Sequence, residues 1–297
     1  MIRIQQLYKS YKYLQVLKGL DMNVKSGEVY GFIGENGAGK TTTMNIICNV
    51  LPKDSGIIEI NDGKPTKLGY LPENPMLYNY MTANQYLTYI SACCKYKGNV
   101  KQRNEELLQL VNLERAKNAK IKGFSRGMNQ RLGLASVLYN DPEIIILDEP
   151  TSALDPQGRA DVIALLQKLK AQGKTVILST HILTDVERVA DTVGILVGGK
   201  IVKEDKLSVL LHDNKNVAVI TPTVRSEQIH KAITSIDFAR VSFSQNGEYE
   251  ITLEDKTADA EKLQKYLSEN SVVIDSYNIK QESLESVYIK AVKDNAN

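Results

Sequence analysis

The sequence predicts an α/β fold with a mainly parallel core sheet, a helical insertion and a small C-terminal α+β domain. Three observations carry this. Strand-type and helix-type patterns alternate along roughly the first two hundred residues, as consecutive β-α-β units require. The apolar run Val29-Tyr30-Gly31-Phe32-Ile33 leads into the glycine-rich stretch Gly34-Glu35-Asn36-Gly37-Ala38-Gly39-Lys40-Thr41 and then a helical pattern over Thr42–Cys48. The run Ile144-Ile145-Ile146-Leu147 reads as a strand buried on both faces, and it ends in the acid pair Asp148-Glu149 before Pro150.

The remaining elements follow in chain order. Leu20, Met22 and Val24 alternate as a strand ahead of the Ser26-Gly27 turn, and Gly56–Ile60 is a strand closed by Asp62-Gly63. Residues of about 76–140 read as a helical subdomain. In it Thr82 with Gln85 makes a capping box ahead of Tyr86, Leu87 and Ile90, and a second helix carries Leu107, Leu108 and Val111. A third helix opens near Ser125, shows Met128, Leu132, Ala135 and Leu138, and stops at Asp141-Pro142. A helix from Pro156 to about Ala171, ended by Gly173, precedes the strand Thr175–Ser179. The boundary of the first domain falls near 210. Residues 211–297 then read β-α-β-β-α-β: Val217–Thr221, Ser226–Ile236, a hairpin of Val241–Ser244 and Tyr249–Leu253 over Asn246-Gly247, Thr257–Ser268 and Val272–Tyr277.

Composition excludes several classes. A net charge of +2 over 297 residues is too small to mark nucleic acid or an acidic membrane surface as a partner. Cys48, Cys93 and Cys94 lack zinc-type spacing and make a poor disulfide framework, which points to a reduced cytosolic compartment. No stretch approaches the ~18 apolar residues of a membrane span, and the N-terminus has no long apolar core of a signal peptide.

The chemistry-bearing residues point to a nucleotide. In Gly34–Thr41 the glycines let backbone N–H groups curl around a polyphosphate, Lys40 reaches the β and γ phosphates, and the Thr41 hydroxyl suits Mg²⁺. Thr42 continues into the helix, whose N-terminal dipole faces the anion. An acid at the carboxyl end of the Ile144–Leu147 strand can hold Mg²⁺ opposite Thr41, and the next can polarise an attacking water. Ser125 and Gly127 open a helix and make a second anion site, which one nucleotide does not obviously need. Ser152-Ala153-Leu154-Asp155 follows the acids, His181 ends a strand, and Tyr11 is able to stack on a base.

This order of motifs, over about residues 1–205, closely resembles the ATP-binding cassette (ABC) ATPases. The resemblance implies an α/β P-loop NTPase core, ATP and Mg²⁺ as ligands, and two ATPase chains facing head to tail as a homodimer. It implies that Ser125 and Gly127 contact the γ phosphate on the partner's P-loop. Asp148 helps hold Mg²⁺, Glu149 activates water, and His181 contacts the γ phosphate. Asp155 joins the dimer seam and Tyr11 stacks on adenine. Simpler roles stand beside these: Tyr8 or Tyr13 in place of Tyr11, Asp155 as a helix cap, His181 as a structural residue.

Two motifs depart from the family pattern. The signature, usually Leu-Ser-Gly-Gly-Gln, reads Phe124-Ser125-Arg126-Gly127-Met128, and the metal-coupling loop carries Glu73 where Gln is usual. A carboxylate ligates Mg²⁺ at least as well as an amide, although Glu73 also reads as a solvated turn acid. The departures, with the ending Ser283-Leu284-Glu285-Ser286-Val287-Tyr288, resemble ATPase subunits of bacterial exporters of drugs, peptide antibiotics or sodium. That likeness implies a separately encoded membrane permease as partner and a place on the cytoplasmic face of the membrane.

Overall fold

Strands apolar on both faces fix the centre of the molecule. In the computed structural model, which describes residues 1–211, 216–224, 226–244, 247–253, 258–280 and 283–295, these strands are wholly buried. The elements run β1 (Ile2–Tyr11), β2 (Leu14–Val24), β3 (Val29–Gly34), α1 (Lys40–Ile47), β4 (Ser55–Ile60), β5 (Leu68–Leu71), α2 (Ala83–Cys93), α3 (Val100–Leu110), α4 (Arg126–Val137), β6 (Ile144–Asp148), α5 (Pro156–Ala171), β7 (Thr175–Thr180), α6 (Leu183–Val189), β8 (Thr192–Val197) and β9 (Lys200–Lys206). They continue with α7 (Leu207–Leu210), β10 (Asn216–Pro222), α8 (Glu227–Thr234), β11 (Arg240–Phe243), β12 (Tyr249–Leu253), α9 (Ala258–Glu269), β13 (Ile274–Lys280) and α10 (Leu284–Asp294).

The core sheet has the order β5-β6-β7-β3-β8-β9 and is parallel except for the β8–β9 pair. Its two faces bury different partners. Ile145 and Leu147 of β6 point into a cluster with the helical subdomain (Leu87, Leu107, Leu132) and with α5. Ile144 and Ile146 point the other way, to Met44 and Ile47 of α1 and to Ile4, Leu20 and Met22 of a separate antiparallel sheet, β2-β1-β4. That second sheet is why the patterns at Leu20–Val24 and Gly56–Ile60 alternate: each strand has only one face toward the core.

Several elements differ from the sequence reading. β1, β5, β8, β9, α6, α7 and α10 escaped it. The alternation of β1 is broken by Gln6, at φ 49°, where the register with β2 shifts, so its apolar period is interrupted. Helix α1 starts at Lys40 rather than Thr42, since Gly39 at φ 114° takes the left-handed step that opens it. A side chain at Gly39 would also lie 2.7 Å from Leu17 Cδ2.

The Thr82–Gln85 capping box forms in both directions, at 3.2 and 2.9 Å. Ser125 caps α4 by accepting from the Met128 N–H at 3.2 Å.

The chain divides into two compact units, Met1–Leu207 together with Tyr288–Asn297, and Ser208–Val287. The division falls slightly before the boundary read near 210, and the terminal segment from Tyr288, expected in the second domain, groups with the first. Tyr288 and Val292 pack there beside Leu196–Gly198 and the loop residues Glu35–Ala38. The second unit is an antiparallel sheet of order β11-β12-β10-β13, its core built from Ala218, Ile220, Ile251, Leu263 and Leu267 among others. Asn246 and Thr257, read as a hairpin turn and a helix start, lie outside the described residues.

Candidate active site

Parallel register brings the chemistry to one sheet edge. Ile33 of β3 pairs with Thr180 of β7, and Asp148 of β6 pairs with Ser179. The carboxyl ends of three strands therefore deliver Gly34, Asp148 and His181 to the same side, where open α/β sheets hold ligands. An open cleft of about 470 Å³ lies there, lined by Asn36, Gly37, Gly39, Lys40, Thr41, Thr42, Glu73, Asp148, Glu149, Ser152 and His181, with Leu14 and Val16 as its apolar wall.

Lys40 is buried, and its ammonium donates to the Gly34 carbonyl at 2.7 Å and the Glu35 carbonyl at 3.2 Å. Burial lowers its pKa below the ordinary lysine value, partly offset by Glu149, Asp148 and Glu73. A desolvated cation at the floor of a cleft, beneath exposed Asn36 and Gly37, suits an anion that brings its own charge.

Asp148 is fully buried and accepts from the Thr41 hydroxyl at 2.6 Å and from the Ser179 hydroxyl. The two oxygens of Thr41 and Asp148 form a hard donor set on the cleft wall, which fits Mg²⁺, an ion that keeps several waters and takes one or two protein oxygens. Ser179 was not read from sequence as a site residue. Its signal was its position at the end of the strand before His181, and only the β6–β7 register sets it against Asp148.

Glu149 is 6% exposed and sits at φ 50°, in the left-handed region that costs a non-glycine residue roughly 1–2 kcal/mol. Its N–H is tied to the Ser179 carbonyl at 3.0 Å, which holds the strained turn. One carboxylate oxygen lies 2.9 Å from His181 Nδ1 and the other 4.0 Å from Lys40 Nζ, yet neither receives an aligned hydrogen bond. A buried carboxylate with free lone pairs and a strained backbone, set between Lys40 and the His181 ring, has the geometry that a proton acceptor needs.

Other expected residues lie elsewhere. Ser125 and Gly127 are not among the residues lining this cleft. Gly127 packs against the turn after the acid pair; a side chain there would meet Leu154 Cδ2 at 3.1 Å and the Ala153 carbonyl at 3.3 Å. Glu35 and Ala38 border the smaller cavity beside Tyr288. Asp155 caps α5, accepting from the Gly158 N–H at 3.1 Å. Tyr11 stands exposed at the end of β1, paired with Leu14, and is not part of the cleft wall.

The ABC transporter family model matches residues 17–152. The bacitracin transport ATP-binding protein BcrA of Bacillus licheniformis is 32% identical over 302 residues, covering 98% of this chain and 97% of that protein. The chain belongs to the ABC transporter ATP-binding family. The lantibiotic transport ATP-binding protein SrtF of Streptococcus pyogenes is 38% identical over 210 residues, 69% of this chain and 90% of that one. The dimeric ATP-binding cassette MJ0796, in a post-hydrolysis state with ADP and Pi, matches with a TM-score of 0.64 at 29% identity, covering 70% of this chain and 99% of that chain. The α/β core with its phosphate loop is thus that of an ABC ATPase, and ATP hydrolysis is its activity.

Proposed function

We propose that this ABC ATPase is the energy-coupling subunit of an exporter of drugs or peptide antibiotics, acting on a separate membrane-spanning permease. The full-length likeness to a bacitracin transport protein supports that substrate class. Among the described residues no helix is long and apolar enough to cross a membrane, which fits a path supplied by a partner. The place of the chain is then the cytoplasmic face of the membrane, through that partner.

Within the site, Lys40 holds the terminal phosphates and Glu149 takes the proton of the attacking water onto an oxygen with no competing donor. His181, whose Nδ1 lies 2.9 Å from that carboxylate, contacts the γ phosphate. Thr41, Asp148 and Glu73 would hold Mg²⁺, which when bound neutralises phosphate charge.

One observation carries the two-chain part of this reading. Ser125 and Gly127, an anion site at a helix N-terminus, are outside the cleft that holds Lys40, Thr41, Asp148, Glu149 and His181. We infer that they serve the nucleotide of a second copy, and that two chains close around two ATP, with Asp155 at the seam. Mixing tests this. Lys40→Ala and Ser125→Arg chains, each inactive alone, are expected to regain part of the parental ATPase activity when combined, because one composite site stays intact. Full activity of either variant alone would refute shared sites.

A further inference from the structure

Two of the residues at which this chain departs from the family pattern, Glu73 and Arg126, are opposite in charge, and the fold puts them together. Arg126 Nη2 lies 3.6 Å from Glu73 Oε1 and 3.5 Å from Asn74 Oδ1. Glu73 lines the same cleft as Thr41 and Asp148, whereas Arg126 is the first residue of α4, between Ser125 and Gly127. Each departure alone would unbalance its site: a carboxylate beside a polyphosphate, a guanidinium on a turn usually glycine. Paired, they cancel.

We propose that Arg126 is a positioning residue that latches Glu73 until a second chain's ATP claims the arginine. The inference rests on the two-chain reading above and on Glu73 as a metal ligand. Two properties make the pair a switch rather than a brace. Both side chains remain well exposed, at 62% and 46%, so the bond is weak and screened and can be exchanged for a stronger one. The backbone beside Arg126 has little room on one side, since even a Cβ at Gly127 would lie 3.1 Å from Leu154 Cδ2 and 3.3 Å from the Ala153 carbonyl. Release therefore occurs by rotation of the arginine side chain. A polyphosphate offers that guanidinium several charged oxygens and bidentate geometry, which a single partly solvated carboxylate does not match. Once Arg126 turns to the partner's nucleotide, Glu73 is free for the metal in its own cleft, so dimer closure and completion of the metal site become one event.

The test is a double-mutant cycle on binding, in chains that also carry Glu149→Gln so that nothing is hydrolysed. Fluorescent ATP is titrated with Mg²⁺ at protein concentrations where light scattering shows single chains. Arg126→Ala is expected to lower the half-saturating Mg²⁺ concentration about two- to five-fold, the range an exposed ion pair supplies. The same substitution on a Glu73→Gln background is expected to leave it unchanged, and Arg126→Lys to keep most of the parental value. An equal shift in both backgrounds, no shift, or a shift to higher Mg²⁺ would overturn the latch. At higher protein concentration, Arg126→Ala is expected to need several-fold more ATP to dimerise, with Glu73 or Gln present; unchanged dimerisation would overturn the exchange. If the Glu149→Gln parent never dimerises, the two-chain reading fails by itself, while the single-chain Mg²⁺ titration still reads the latch.

Discussion

Replacing Glu149 by Gln separates binding from chemistry, and the site gives the size of each effect. The amide keeps the shape of the side chain, so the strained backbone at φ 50° and its N–H bond to Ser179 are unaltered. What changes is the charge 4.0 Å from Lys40 and the basic lone pair beside His181. Loss of a general base costs about 10²–10⁴-fold in rate, or roughly 2.7–5.4 kcal/mol at 1.36 kcal/mol per tenfold. Binding moves the other way. A unit charge pair at 4 Å is worth about 4 kcal/mol at an effective dielectric of 20, and Glu149 both competes with phosphate for Lys40 and repels it. The expected result is a single-turnover hydrolysis rate at least ~100-fold down, with ATP affinity equal to or tighter than that of the parent. Rapid-quench phosphate release and fluorescent-nucleotide titration read the two quantities independently. Turnover within about threefold of the parental rate would refute the proton-acceptor role, and a large loss of affinity would show that Glu149 serves binding instead.

Lys40→Ala is expected to weaken ATP binding itself, by titration calorimetry, because the lysine lies on the phosphate path before any reaction. The lysine also gives a pH signature: its folded pKa is depressed, so the unfolded chain binds more protons between that value and the usual ~10.4, and nucleotide-free stability rises with pH across the window. Urea titrations at a series of alkaline pH values are expected to show a flatter rise in Lys40→Met. Tyr80 and Met76 are strongly exposed beside the stretch that follows Glu73, whereas Tyr78 stacks on Tyr86 and Tyr89, and Met81 packs against the core. If the exposed Met76 and Tyr80, just beyond Glu73, dock on the proposed permease, Tyr80→Glu is expected to abolish co-purification with it while dimer ATPase activity and thermal midpoint stay near parental; unaffected co-purification would place docking elsewhere. Burial pushes the Cys48 thiol up to about 12, while Cys93 is exposed, so iodoacetamide at pH 8 is expected to label Cys93 well before Cys48, read by peptide mass mapping.

Local chemistry was legible in the chain because it is local. The phosphate loop, the Thr82–Gln85 box, the Ser125 cap and the Asp155 cap each depend on residues within a few positions of one another. The apolar run Ile144–Leu147 announced a strand buried on both faces for the same reason. β1 was hidden where a bulge at Gln6 broke its period, and β5 and β8 are too short or too mixed for a single period to stand out. Tertiary structure alone decided which distant residues meet. Strand order set β7 between β3 and β6, and that register brought Ser179 to Asp148 and His181 to Glu149. It made Leu14 and Val16 the cleft wall, and it brought Glu73 and Arg126, fifty-three positions apart, within 3.6 Å. A sequence states the chemistry each side chain can do; pairing between strands far apart in the chain selects which of those side chains act on the same atoms.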